Sequence, residues 1–479
     1  MIRARAVSTL AIAASLAGCG GPPETDPRMV SEWTHALYGA VRVERISPVV
    51  ASRVYAYAAT GLYAGMAAAN PTLPSLEGKL NGLTSLPRAE AGKKYDATIS
   101  AVAAERVILD SLFRDGLPTT RSALARLADS LDNARAALGV KDPERSRTLG
   151  RSVGLAIVAW AHGDGFDSTR GRKYVPPVGP GLWVNDSPAQ TYSAQSISGV
   201  SQLVVPTNPT NAMRPGAAND RGLILDRQKK AGPTTLPAVN MAGVTEPYWG
   251  YNRPFTLKGW DECPAPPPPE YSPKPGTPLY EEARHVYFTS KQLTPEQRTI
   301  ALYWADNGGE SGTPAGHWLS IASQMVSEKN LDAERGAWLL AQTSVSLADA
   351  FIAVWGYKFK LNLIRPRTFI RATMDSTWEP AIPTPPFPEY LSGHSTISGA
   401  AAATLTSVLG TVPFSDSTSV SIGHQVRKFA SFRAAADEAG LSRIYGGIHY
   451  QSANVEGGNL GRCVAGHVSE RFGAGPNGR

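Results

Sequence analysis

Three short stretches in the last third of the chain hold the residues best suited to chemistry: Lys358-x6-Arg365-Pro366, Ser392-Gly393-His394 and Ser442-Arg443-x5-His449. They supply three fixed cations, a hydroxyl beside a glycine, and two imidazoles. Each has a plain explanation alone. A lysine and an arginine at a helix end are a solvated basic turn favoured by the helix dipole. Ser-Gly-His is a cap followed by a surface histidine, and Arg443 to His449, around Gly446-Gly447, is a loop. Together and in this order they describe donors converging on one tetrahedral or trigonal-bipyramidal oxyanion, such as phosphate or vanadate. Gly393 permits close backbone approach, and the free N–H groups of a helix starting there favour an anion.

Such a site needs elements that bring positions 358 to 449 together. Trp355 and Lys358 lie three apart near the end of a helix expected over 331–363, so they share a face. Pro366 is expected to stop that helix just after Arg365. Another helix should start near His394 and run to Leu409. The capping box Thr294-Pro295-Glu296-Gln297 opens one over 295–306, and the pattern predicts others over 317–327, 420–439 and 453–472. In the first half, Ser47-Pro48 starts a helix whose run 49–69 is apolar on most faces and therefore buried. Alanine-rich helices should follow over 93–113, 118–138 and 142–162. From 165 to 277 proline, glycine, serine and asparagine dominate. A stretch that long without periodicity is unusual in a compact domain. It nevertheless holds Trp183, Tyr248, Trp249, Phe255 and Trp260, which a solvated linker would not need. We expect it to pack over the helices with short strands or turns. The sequence has no internal repeat.

Charged residues make up 18% of the 479, below the roughly 25% of a typical soluble protein, which fits a large, well-buried enzyme. The formal charge is +7, but lysines and arginines are scattered and no nucleic-acid-binding signature is present, so no nucleic-acid partner is expected. The excess reads as general attraction for anions. Arg3 and Arg5 precede the apolar run Leu10 to Ala17, which ends in Leu16-Ala17-Gly18-Cys19. This is the make-up of an export signal, and Leu-Ala-Gly-Cys resembles a bacterial lipobox. Residues 1–19 are then a lipoprotein signal with Cys19 lipidated, and 20–28 a tether. The protein would be anchored in the membrane through Cys19, in the bacterial cell envelope, on its periplasmic or outer surface. Nothing downstream reads as a membrane helix. Cys263 and Cys463 either pair in an oxidising compartment or stay as two thiols.

The three motifs resemble those of the vanadium-dependent haloperoxidases, bacterial subgroup, and of the related type-2 phosphatidic acid phosphatase superfamily. The resemblance implies an all-α fold of two four-helix-bundle-like halves with long loop excursions. Residues 29–278 would form the first half with its loop region, and 279–475 the second, which carries the active site. By position, His449 would be the axial vanadium ligand. Lys358, Arg365 and Arg443 would neutralise the cofactor's oxygens, and Ser392 and the Gly393 N–H would hydrogen-bond to it. His394 would be the acid–base residue, and Lys358 would polarise the oxidant. Trp355 and Phe387 resemble an aromatic pair lining the halide pocket of chloride-oxidising members. Asp306 resembles an acidic residue that pairs with a site arginine, and His317 a near-site residue that is not a ligand. Two positions depart from the family pattern. Leu391 stands where proline usually precedes Ser-Gly-His. Ala453 stands where many members carry aspartate, so another acceptor is needed, with Glu456 the candidate. The implied activity is oxidation of halide by hydrogen peroxide to hypohalous acid, with vanadate as cofactor. One alternative is a phosphatase in which His449 attacks phosphorus and His394 protonates the leaving group. The other is an oxyanion-binding lipoprotein without turnover.

Overall fold

A computed structural model describes Thr25, residues 27–185 and residues 244–476. The signal, Cys19 and most of the tether lie outside these residues, as does the middle of the proline- and glycine-rich stretch. The described chain is mostly helical. Its first half contains α1 (Arg28–Val43), α2 (Pro48–Ala69), α3 (Ala97–Leu112), α4 (Pro118–Ala136), α5 (Pro143–His162) and a single turn α6 (Phe166–Thr169). The caps are those the sequence offers. The Ser47 and Asp96 side chains accept from Val50 N–H and Ile99 N–H, and proline opens α2, α4 and α5. Helices α2, α3 and α5 pack on one another, and α4 lies against α3.

The second half contains α7 (Pro278–Lys291), α8 (Pro295–Tyr303), α9 (Thr313–Glu328), α10 (Ala333–Leu361), α11 (Pro366–Thr373), α12 (Gly393–Leu409), α13 (Phe432–Tyr445) and α14 (Gln451–Phe472). Helices α10, α12 and α14 pack mutually, and α13 closes against α12 and α14. The α12–α14 contact is close because small residues line it. A Cβ on Gly461 would lie 2.1 Å from the Thr396 carbonyl oxygen, so only glycine fits. α10 also packs on α2 and joins the two halves. Its length and apolarity would suffice to cross a membrane, which the sequence reading did not recognise. Its whole apolar window is buried by the surrounding helices, so it is the core helix of the protein.

Two local expectations need correction. The helix expected over 420–439 begins only at Phe432. Before it, Phe414–Asp416 (β1) and Arg427–Phe429 (β2) form a small antiparallel ladder pairing Phe414 with Phe429. The phenyl rings of Phe414, Phe429 and Phe432 gather there. That side-chain cluster outweighs a weak helical pattern in a Ser/Thr-rich run. Secondly, Pro366 does not stop the helix that carries Lys358. Asn362, in the left-handed region at φ 50°, ends α10, and Pro366 opens α11 with Arg365 as its N-cap.

The described parts of the irregular stretch pack on α10 and its exit. Trp183 N–H donates to the Asn362 carbonyl (2.7 Å) and Ile364 N–H to the Gly181 carbonyl (2.9 Å), bracing the connection between Lys358 and Arg365. The buried Asp349 carboxylate accepts from Phe255 N–H (2.6 Å) and Thr256 N–H (2.8 Å). Burial lifts its pKa to about 6. Cys263 and Cys463 form a disulfide that ties the stretch to α14. Trp183, Trp249 and Phe255 are buried, as their presence implied.

Candidate active site

Helix ends and the loops between them bring the three motifs together. Lys358 sits in the last turn of α10, Arg365 at the start of α11, Ser392 at the N-cap of α12, Arg443 in the last turn of α13 and His449 just before α14. Lys358, Arg365, Ser392, Arg443 and His449 are all almost completely buried. A cleft of about 140 Å³ reaches the cluster, lined by Gly393, His394, Arg443 and His449 together with Trp355 and Phe387.

The cations are held by backbone carbonyls. Lys358 Nζ donates to the carbonyls of Pro388 (3.1 Å) and Glu389 (2.8 Å), which leaves its third hydrogen for another acceptor. Arg365 donates from Nε to the Phe387 carbonyl (2.9 Å) and from Nη1 to the Ile448 carbonyl (2.9 Å). Arg443 donates from Nη2 to the Trp304 carbonyl (2.8 Å) and from Nε to Ser442 Oγ (2.9 Å). Among the described residues no carboxylate forms an ion pair with Lys358 or Arg443. Burial, the largest cause, pushes the Lys358 ammonium well below its ordinary pKa and Arg443 to about 10. An anion among them would favour their charged forms.

Arg365 and Glu389, one at each ring nitrogen, define the proton position on His449. Arg365 Nη1 lies 3.2 Å from His449 Nε2. A guanidinium can only donate, so Nε2 must present its lone pair and the ring proton must sit on Nδ1. Nδ1–H donates to Glu389 Oε1 at 2.7 Å. Burial first, then Arg365, Lys358 and Arg443, hold this imidazole well below the usual histidine pKa, so it is neutral. His394 is also kept neutral, by burial and then by Arg443 and His317. Its Nε2 is buried and has no hydrogen-bond partner among the described residues.

Ser392 Oγ accepts from Ser395 N–H at 3.4 Å and keeps its own hydrogen to donate. A Cβ at Gly393 would stand 3.7 Å from the Trp355 ring and 3.9 Å from Lys358 Cε, filling the space before the lysine. The Trp355 and Phe387 rings meet with centroids 4.8 Å apart. Phe387 faces two cations, with Lys358 Nζ 5.2 Å and Arg365 Cζ 5.0 Å from its centroid.

Sequence similarity supports the same grouping. The VCPO second helical-bundle domain matches residues 338–475. The crystal structure of the first bacterial vanadium-dependent iodoperoxidase is 31% identical over 94% of this chain and 97% of its own, with a TM-score of 0.76. The chain belongs to the vanadium haloperoxidase family. Apo and holo structures of a bacterial vanadium-dependent chloroperoxidase share the fold of this haloperoxidase-family chain at 15% identity. Their TM-scores are 0.60 and 0.57, and they cover 94% and 89% of this chain and 98% and 92% of their own. No curated protein matches in sequence.

The donor set of this family member fits an oxyanion that takes one coordinate bond. Three buried cations gather there, His449 offers a nitrogen lone pair among them, and His394 has a nitrogen beside them with no partner among the described residues.

The surroundings differ from expectation in three places. Asp306 acts on Arg443 through its charge but makes no direct ion pair with it; its two oxygens accept from His317 Nδ1–H, both at 3.0 Å. His317 Nε2–H reaches Asp416 Oδ2 at 2.8 Å, and the ring stacks on Trp304 at 4.6 Å. Burial alone would depress the His317 pKa, but the two carboxylates outweigh it and raise it to about 10. Asp416 falls to about 2, its own burial overcome by His317. The acceptor for His449 Nδ1–H is Glu389, not Glu456, which bonds Asn459 on the exposed side of α14. Leu391 is fully buried, and Ser392 N–H donates to the Ala453 carbonyl (3.0 Å). Sequence reasoning missed Glu389 and Asp416. For Glu389 a signal existed: it is the sole charge in the apolar run Pro385 to Leu391, and a charge enclosed that way usually has a specific partner.

Proposed function

We propose that the protein is a vanadate-dependent haloperoxidase that oxidises halide with hydrogen peroxide to hypohalous acid. The observation that carries this is the His449 Nε2 lone pair set among three buried cations at the foot of the cleft. Lys358, Arg365 and Arg443 would balance the oxyanion's charge. The Ser392 hydroxyl and the Gly393 N–H would donate to it, and His449 would hold it through the Nε2 lone pair. Bound vanadate supplies an electrophilic centre that activates peroxide without changing oxidation state. His394, neutral and with a free nitrogen, would take up and return the proton of the oxidant. Trp355 and Phe387 would border the halide, with the two cations beyond Phe387 drawing the anion in. The relative at 31% identity is an iodoperoxidase, so iodide is the first halide to test.

A second reading uses the same groups. A neutral His449 backed by Glu389 is arranged as a nucleophile toward phosphorus: an Nε2–P bond forms, the P–O bond breaks, and His394 protonates the leaving oxygen. Purified protein reconstituted with vanadate should halogenate monochlorodimedone when given peroxide and iodide or bromide. Hydrolysis of p-nitrophenyl phosphate, with vanadate acting only as inhibitor, would select the phosphatase instead.

The export signal and the lipobox at Cys19 support a lipid-anchored enzyme of the bacterial cell envelope. The Cys263–Cys463 disulfide agrees with an oxidising compartment. Mass analysis of Cys19 in the native protein tests this.

A further inference from the structure

We infer that Glu389 is the positioning residue that sets the tautomer and orientation of His449 and couples them to Lys358, replacing the acceptor that Ala453 cannot supply. This rests on the reading of His449 as the oxyanion's ligand. Glu389 is fully buried, and three of its polar groups are each spent on a different part of the site. Its N–H donates to the Leu363 carbonyl (3.0 Å), two residues before Arg365. Its carbonyl accepts from Lys358 Nζ (2.8 Å). Its Oε1 accepts from His449 Nδ1–H (2.7 Å) and from Tyr450 N–H (3.0 Å). One loop residue therefore fixes the end of α10, the start of α11 and the histidine before α14.

The alternatives on α14 are not available. Ala453 has no acceptor in its side chain, and its carbonyl is taken by Ser392 N–H. Glu456 faces out and bonds Asn459 Nδ2 (2.9 Å). A carboxylate buried with one oxygen, Oε2, unpartnered is costly. Burial, the largest cause, raises the Glu389 pKa to about 7, and the neighbouring Arg365 and Lys358 oppose that shift. Without the acceptor, the single 3.2 Å contact from Arg365 would alone oppose the form that carries the proton on Nε2. Only the Nδ1–H form turns a lone pair toward the cleft. Glu389 thus selects the one form able to coordinate, and the hydrogen bond it accepts from Nδ1–H fixes the ring orientation.

The test is equilibrium dialysis of the purified full chain against orthovanadate. It is read by metal analysis and paired with 15N-histidine NMR of the vanadate-free protein. Glu389→Ala should weaken vanadate binding by about 10- to 100-fold and mix the two His449 tautomers. Glu389→Gln, which keeps an acceptor oxygen but no charge, should hold the tautomer and lie between wild type and alanine in affinity. Glu456→Ala should bind as wild type does. Wild-type affinity and tautomer in Glu389→Ala, with binding lost in His449→Ala, would overturn the role of Glu389 and leave the ligand reading intact. Vanadate retained by His449→Ala would overturn both. Should Glu389→Ala not fold, Glu389→Asp keeps the charge but shortens the reach. It must then weaken binding, and unaltered affinity in that variant overturns the proposal.

Discussion

Each half of the molecule buries a charged cluster, and the two are balanced differently. In the first half Arg53 Nε meets Asp164 Oδ2 at 2.6 Å, and Tyr57 O–H donates to the same oxygen (3.0 Å). Phe166 N–H takes the other oxygen (2.9 Å), and Arg53 Nη2 reaches the Ala161 carbonyl (3.0 Å). Arg53 is paired directly with Asp164, and the half-buried Arg253 beside them donates to Tyr57 Oη (3.4 Å) and to the Gly163 and Trp160 carbonyls. In the second half, among the described residues, Lys358, Arg365 and Arg443 share a site with Glu389 and with Asp306, which is itself bonded to His317. Two neutral imidazoles stand among them. Burying cations without counter-charges costs stability. A site that does so is built for an anionic guest. The excess of buried cations, more than the number of hydrogen bonds, separates the functional cluster from the structural one.

Removing the ligand nitrogen should break this contrast most. His449→Ala is expected to abolish vanadium retention after dialysis, a loss of affinity beyond about 100-fold. Its helical circular dichroism should match wild type, because the site consists of helix ends. Full vanadium content in the dialysed variant would remove His449 from the site.

The clamp around His317 stands between the two clusters in kind: one cation held by two carboxylates. His317→Leu would leave Asp306 and Asp416 buried and unpaired, with an expected loss of about 3–5 kcal/mol by denaturant unfolding. Its pH dependence has a definite sign. The folded pKa near 10 lies above the ordinary histidine value. The stabilisation is therefore complete below about pH 6.5 and fades as pH rises through 10. Wild type should lose melting temperature across that window, and the leucine variant should lose much less.

Much of the site was legible because donor types and order cannot be concealed in a sequence. Lys358, Arg365, Ser392, Gly393, Arg443 and His449 form one cluster, with His394 beside it. What was not legible depended on folding at a distance. Glu389 serves His449 from sixty positions away, and no local rule marks it beyond its apolar surroundings. Asp306 was expected to face an arginine; φ 47° at that residue and the first turn of α9 bring His317 to it instead. Pro366 was compatible with ending one helix or beginning another, and Asn362 decided the matter by taking a left-handed conformation. The aromatic residues of the long irregular stretch announced that it packs. Only the structure shows Thr245 lining the cleft and residues 181–183 bracing the segment between Lys358 and Arg365.

If the first-half cluster is purely structural, damage there should cost stability and leave binding untouched. Asp164→Asn keeps the shape but removes the counter-charge of Arg53, with an expected loss of about 2 kcal/mol. Vanadate affinity, measured per folded molecule, should not change. A parallel loss of affinity would mean that the two halves are coupled through α2 and α10.

The smallest effect should come from the aromatic face over the cations. Lys358 Nζ and Arg365 Cζ both sit within 5.2 Å of the Phe387 centroid. Such contacts, when desolvated, are worth about 1–2 kcal/mol in all. Phe387→Leu preserves most of the apolar volume and removes the ring's negative face. Vanadate affinity should therefore fall by about tenfold or less, since 1.4 kcal/mol is a factor of ten. On the proposed function the halide should respond differently, because Phe387 and Trp355 line the cleft it would enter. KM for iodide should move more than kcat, and the ratio of iodide to bromide turnover should change. Equal changes for both halides, with vanadate affinity unaltered, would make Phe387 a packing residue and leave Trp355 as the aromatic group at the pocket.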